Sequence, residues 1–292
     1  MKNRNLALLA VLLAALLGGG LPTMSKIGLR EIPPLSFIFI RFGLSLLFLF
    51  PLFLKEKPRL TKATLPVILV SLLATLNIVL FTFGIRNTTA TTAQMLYVAV
   101  PILAVLFSRL LIKEKITLKK MGGITLGLVG TLSIVLLPIL GLTDAIGGSL
   151  GGNLMILAGV TSFAIYSVFS KKLQERYSPQ FLTLSFSLTT AAVSLAIAIT
   201  ETASYSRWWA GISLGAWLAV AYVGVIGTAA YYLLYQYAIK QGTPVTASMT
   251  FYLQPAATFV WSAILLGERV TVGFALGAIL ALSGAWLTTK SK

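Results

Sequence analysis

Twelve residues that can hold a small molecule without covalent chemistry stand inside long apolar runs of this chain: Asn77, Phe81, Gln94, Tyr97, Ser162, Tyr166, Tyr231, Tyr235, Ser248, Phe251, Tyr252 and Gln254. Their amides and hydroxyls supply hydrogen bonds, and their rings supply apolar contact and cation–π attraction to an ammonium. Asn77 and Phe81 are four apart, as are Tyr231 and Tyr235, so each pair shares one face of a helix. The plainer reading of such residues is that Tyr and Trp form interfacial belts and that Asn and Gln bond between helices; Trp208, Trp209 and Trp217 belong there. The chain has no His and no Cys. Imidazole bases, thiolate nucleophiles, disulfides and the usual zinc constellations are thereby excluded, and no metal or cofactor is expected.

All seven acids (Glu31, Glu56, Glu114, Asp144, Glu175, Glu201, Glu268) fall in loops or at the ends of apolar runs. No carboxylate occupies the middle of a run, where a proton or sodium antiporter would place one. Glu114 and Glu268 precede runs that begin near Thr117 and Thr271, and each is expected to favour the N-terminus of the helix that follows it. Arg41 is the one charge well inside a run. It can snorkel, bind the backbone of a broken neighbour, or receive an anion. Lys26 and Lys171 read as interfacial anchors. Gly18, Gly19 and Gly20 before Pro22 interrupt the first run, serving either a flexible gate or close packing. Pro101 and Pro255 are expected to kink the runs that hold them.

The elements that position these residues follow from composition. Of 292 residues 57% are hydrophobic and only 10% charged, with a mean hydropathy of +0.92, which excludes a water-facing globule. Ten apolar runs are legible, near Leu6–Ile27, Pro34–Leu54, Thr64–Ile85, Thr91–Ile112, Thr117–Leu140, Gly152–Val168, Pro179–Thr200, Leu214–Ile239, Thr243–Leu266 and Val270–Thr288. The first lacks a clear cleavage site and is expected to be retained. Net charge is +16, but 17 of the 23 Lys and Arg fall on the N-terminal side of the alternating loops and 5 on the other. This asymmetry predicts both termini in the cytoplasm of a multi-pass cell-membrane protein, with anionic lipid rather than nucleic acid as the partner of the basic excess.

A single shift of 154 positions lays Ala93–Thr117 on Ala247–Thr271, matching Pro101 with Pro255, Glu114 with Glu268, Gly123 with Gly277 and Gly130 with Gly284. The same shift takes Asn77 and Phe81 to Tyr231 and Tyr235. A weaker match, near 145, lays Ser25, Lys26 and Pro34 on Ser170, Lys171 and Pro179. The division is 1–140, a Gly-rich extracytoplasmic linker 141–151, and 152–292. Each half holds an odd number of runs, so the fold is expected to be an all-α integral membrane protein of ten transmembrane helices in two inverted five-helix repeats, an arrangement suited to alternating access.

The segments LLIKEKIT and LLGERVT, the Pro within the fourth and ninth runs, and IPPLSFIFIRF at the second resemble the EamA-like branch of the drug/metabolite transporter superfamily. Lys113, where the motif usually has Gly, is a local departure. The resemblance implies a central cavity lined mainly by the first, third and fourth helices of each repeat. It also implies export of small amphipathic metabolites such as amino acids; the lack of an acid inside a run points to a facilitator or exchanger rather than a proton antiporter, and a monomer or homodimer is expected. Proton-coupled multidrug efflux is the alternative within transport; a membrane enzyme lacks the acid–base groups it needs.

Overall fold

The computed structural model describes residues 4–56, 64–112, 118–136, 148–204, 208–269 and 272–290. Lys113, Glu114, Lys115, Thr117, Asp144 and most of the expected linker lie outside the described residues. Fourteen helices follow one another: α1 (Arg4–Gly18), α2 (Leu21–Gly28), α3 (Pro34–Glu56), α4 (Leu65–Arg86), α5 (Ala90–Leu96), α6 (Ala99–Ile112) and α7 (Leu118–Leu136), then α8 (Leu150–Leu173), α9 (Pro179–Ser204), α10 (Leu214–Gly224), α11 (Tyr231–Gln241), α12 (Pro244–Ser248), α13 (Thr250–Leu266) and α14 (Val272–Lys290). A π-helical turn, Val225–Ala230, joins α10 to α11. The described residues include no strand.

Among the described residues eight helical stretches are long and apolar enough to cross a membrane: Asn5–Gly28, Pro34–Leu52, Leu65–Arg86, Ala90–Leu111, Leu150–Leu173, Pro179–Ile199, Leu214–Gln241 and Pro244–Leu266. Two shorter apolar helices, Met121–Ile134 and Ala275–Gly284, accompany them. Large apolar side chains such as Leu47, Phe48, Ile264 and Ile279 point outward, and hydroxyls are turned inward. Inside, they bond between helices, as Thr75 does with Thr190 at 2.8 Å. That distribution suits a hydrocarbon solvent, which satisfies no polar group.

Four stretches are broken, each beside a small or capping residue. Thr89 and Thr243, which the 154 shift superimposes, have extended backbone and cap α5 and α12 by accepting the Thr92 and Thr246 amides. Pro101 lies in the first turn of α6 rather than at a mid-helix kink, and the carbonyl its ring would orphan, that of Tyr97, accepts the Val100 amide. At Gly18–Gly20 the freed Leu17 carbonyl accepts the Tyr222 hydroxyl and the Gly19 carbonyl accepts the Thr258 hydroxyl. A Cβ on Gly19 would lie 2.4 Å from the Ala257 methyl, and one on Gly20 would lie 2.8 Å from the Tyr222 hydroxyl. The run is therefore a close-packed seam, the second of its two sequence readings.

α7 packs on α14, α4 on α8, α3 on α9 and α1 on α11. The α7–α14 seam is reciprocal. A Cβ on Gly130 would lie 2.3 Å from the Ala281 amide, and one on Gly284 would lie 2.1 Å from the Gly127 amide. Gly130 and Gly284 are repeat-matched, and so are Gly127 and Ala281. Lys26 and Lys171 show a second correspondence. Lys26 donates to the Ile85 and Thr88 carbonyls at the end of α4, and Lys171 to the Ile239 and Gly242 carbonyls at the end of α11; the 154 shift converts one pair into the other. The lysines thus cap helix C-termini, a more specific role than interfacial anchoring. Because the start of α8 is bonded to the end of α4 through Ser149 to Asn87 and Thr88 to Asn153, α8 runs antiparallel to α4. The two capped ends therefore lie at opposite faces of the bundle.

The acids cap helix starts far away in sequence. Glu268 accepts the Ala90 and Thr91 amides and the Thr91 hydroxyl at the start of α5; the start of the helix that follows it, near Thr271, lies outside the described residues. Glu201 accepts the Leu35 and Ser36 amides at α3, and Glu31 accepts the Ser213 amide and hydroxyl at α10. These bonds span 165 to 182 residues. The backbone and hydroxyl of Ser213 hold the Glu31 carboxyl below the usual carboxylate range.

Candidate functional site

A cavity of about 40 Å³ lies where α1, α2, α3, α4, α5, α8, α11 and α13 converge, with Tyr97 closing the end of α5. On the scale where one water needs roughly 10–15 Å³, it holds two or three. Gly18, Leu21 and Pro22 line it from the break in the first stretch, and a Cβ on Gly18 would lie 2.0 Å from the Gln254 amide nitrogen and 2.9 Å from the Tyr231 ring. Ile78 and Phe81 reach it from α4, and Gln94 and Tyr97 from the fourth stretch. Phe163, Tyr231, Tyr232, Phe251 and Gln254 come from the C-terminal half of the chain.

Six sequence candidates meet here: Phe81, Gln94, Tyr97, Tyr231, Phe251 and Gln254. A seventh, Asn77, supports them by donating to the Tyr97 hydroxyl at 2.6 Å. Gln94 donates to Gln254 at 3.1 Å, joining α5 to α13 across the cavity. The rings interlock. Tyr97 lies 5.9 Å from Phe81 and 5.5 Å from Phe251, centroid to centroid, and Tyr231 stacks on Tyr235 at 6.0 Å. Such spacings are those of favourable aromatic pairs.

The other five stand apart. Ser162 donates to the Leu73 carbonyl and Ser248 to the Val245 carbonyl. Tyr166 accepts from Gln236 at 2.5 Å, and Tyr235 bonds Ser167 at 2.6 Å. With Ser170 and Gln174 these groups make a buried polar network between α8 and α11. Tyr252 is half-buried against the core. Trp209 and Trp217 are exposed as a belt requires, whereas Trp208 packs against the core.

Sequence reasoning passed over Phe163 and Tyr232. Phe163 is the hub of the ring cluster, touching Tyr97, Tyr166, Tyr232, Tyr235 and Phe251. A Phe in an apolar run carries no polar mark, and only its four-residue spacing from Gly159, which lets α8 approach Asn77, hinted at its face. Arg41 also reaches the cavity from α3, a helix outside the expected lining set. It is 1% exposed, donates through Nε to the Thr228 hydroxyl at 2.6 Å, and lies over the Phe42 ring at 5.3 Å. Thr228 in turn donates to the Val223 carbonyl, five residues back, within the π turn. No described carboxylate lines the cavity.

The model of the EamA-like transporter family matches residues 5–136 and 150–290 of the chain. An uncharacterized transporter, YvbV, of Bacillus subtilis is 30% identical over 297 residues, covering 98% of this chain and 92% of that one. An uncharacterized transporter of Clostridium kluyveri is 29% identical over 212 residues, 72% of this chain; the chain spans 66% of that relative's length. A crystal structure 21% identical in sequence has the same fold, with a TM-score of 0.69 over 98% of this chain and 96% of the other.

Proposed function

The chain belongs to the EamA-like transporter family, and from that premise we propose that it carries small amphipathic metabolites, amino acids among them, across the cytoplasmic membrane. The carrying observation is the cavity itself. Amide, hydroxyl and aromatic groups from both sequence halves meet at one buried point, with no carboxylate for proton binding among the described lining. Its present volume admits only water, so loading a solute requires the lining helices to part, as alternating access does. The mode is export, facilitation or exchange, with no covalent chemistry. The small molecule and the lipids around the bundle are its partners, and one chain, alone or as a homodimer, suffices for the path.

Ten spans in two inverted repeats, 1–140 and 152–292 about an extracytoplasmic linker, fit this mechanism. The reciprocal Gly130 and Gly284 contacts and the lysine caps at opposite faces support that reading. With both termini cytoplasmic, a cysteine at Gly151, which is exposed and has open space for a side chain, is expected to react with an impermeant maleimide added outside. Reaction only from the cytoplasmic side would reverse the topology.

Transport itself is tested in proteoliposomes loaded with amino acids, organic cations or nucleosides, with and without a pH gradient. Flux of at least one amphipathic class that does not follow the pH gradient is expected; strict dependence on the gradient would favour proton-coupled efflux. Tyr231→Ala is expected to raise the half-saturating concentration roughly tenfold at unchanged abundance, through loss of ring and hydroxyl contacts. Trp209→Ala, on an exposed ring, is expected to leave it unchanged.

A further inference from the structure

We propose that Arg41 anchors a carboxylate of the transported molecule, so that the substrate class is an organic monoanion, or a zwitterion, with an apolar or aromatic body. The proposal rests on the reading of the cavity as the transport site. An unpaired guanidinium buried in an apolar bundle is strongly unfavourable unless something compensates it. Among the described residues Arg41 makes one hydrogen bond, from Nε to Thr228, and no ion pair. Its Nη1 is buried with no hydrogen-bond partner. Architecture accounts for the Nε bond and for the Phe42 contact, which fix the plane of the group. It does not account for a terminal nitrogen left empty beside a cavity.

A second orphan lies in the same wall. The Tyr231 hydroxyl is buried beside Gln254 and makes no hydrogen bond of normal geometry. Arg41 and Tyr231, each with a buried polar atom outside regular hydrogen-bond geometry, thus line one small space with no described carboxylate, and Gln254 stands beside the phenol. A carboxylate complements the guanidinium, while the rings of Tyr97 and Phe251, which line the same cavity, receive the apolar body. Arginine's planar fork suits a two-oxygen acceptor better than a lysine ammonium does. Thr228 places this fork on the π turn of the helix that also carries Tyr231, so binding at Arg41 bears directly on a helix that must move.

The test uses three probes of one size: 3-phenylpropionate, 3-phenylpropionamide and 3-phenylpropylamine. Binding to the full-length protein in detergent is followed by ligand-induced thermal shift, and each probe is then offered for counterflow in proteoliposomes. The carboxylate is expected to bind at least about tenfold tighter than the amide or the amine, the usual scale for one charge-assisted contact. Arg41→Gln is expected to bind acid and amide alike. Arg41→Lys, which keeps the charge if Arg41→Gln fails to fold, is expected to retain part of the preference. Equal binding of acid and amide by the wild type, or an undiminished preference in either variant, overturns the anchor. An Arg41-dependent carboxylate that binds but shows no counterflow leaves the anchor standing and removes the transport reading. Counterflow of the amine or amide without preference for the acid does the reverse.

Discussion

Gly284→Ala is expected to remove most of the folded protein from the membrane, although the substitution adds a single methyl group. In an ordinary helix Gly→Ala is stabilising by about 0.5–1 kcal/mol, because it reduces the freedom of the unfolded chain. Here the sign reverses. The new Cβ would lie 2.1 Å from the Gly127 nitrogen, 2.4 Å from its Cα and 2.7 Å from the Gly123 carbonyl oxygen. All three are backbone atoms, so no side chain can turn away and α7 must separate from α14 along its length. Overpacking costs about 1–3 kcal/mol even where side chains yield, and a backbone clash lies at or above the upper end. Gly130→Ala meets the Ala281 nitrogen at 2.3 Å and is expected to match it. Gly122→Ala, on the same α7 but with nothing within 4 Å, is expected to be neutral or slightly stabilising. Yield of monodisperse protein and the midpoint of thermal unfolding in detergent provide the measurement. Equal behaviour of the Gly284 and Gly122 variants would mean that the seam is not tight.

This seam was legible only in part. The 154 shift aligns Gly123 with Gly277 and Gly130 with Gly284, which marks the glycines as repeated features. It does not say that the two helices carrying them face one another. Hydrophobic run length located the eight stretches long and apolar enough to cross a membrane, because each must satisfy its backbone internally and that constraint is local, whereas the fifth and tenth runs are described only as shorter apolar helices. The break at Gly18–Gly20 was legible for the same reason, since it acts through adjacent backbone; the threonine caps before α5 and α12 were not singled out. Seven of the twelve candidate site residues lie in or directly beneath the cavity, since a polar group within an apolar run has few places to go. Of the other five, Ser162 went to a carbonyl of α4 and Tyr166 and Tyr235 to the α8–α11 network, choices made by packing between distant helices. Ser248 bonds a carbonyl of its own turn and Tyr252 packs against the core. Phe163 and Tyr232 were not distinguishable from core residues, and Arg41's partner Thr228 depends on a π turn that periodicity does not reveal.

The acids show the same limit and lead to the second large effect. From sequence, Glu268 is the natural partner of the helix just after it. In space it accepts three hydrogen bonds at α5, the helix that carries Gln94 and leads into Tyr97. Hydrogen bonds to a charged group contribute about 1.5–3 kcal/mol each, reduced here because Glu268 is partly exposed. Glu268→Ala leaves two amides and a hydroxyl unfilled at an N-terminus where the helix dipole also favours negative charge. A loss of about 2–4 kcal/mol of stability is expected, seen as a lower unfolding midpoint and lower abundance. Glu268→Gln keeps one acceptor oxygen and is expected to lose roughly half as much. Because the carboxylate works as a cap and not as a proton carrier, the Glu268→Gln protein that does fold is expected to transport with wild-type pH dependence. A stably folded Glu268→Gln protein whose flux had lost its response to a pH gradient would instead make this acid the coupling group, and the uncoupled cavity would give way to proton-driven efflux. The distinction is sharp because Glu268 lies at the end of the bundle reached by Lys26 and the end of α4, outside the described lining of the cavity.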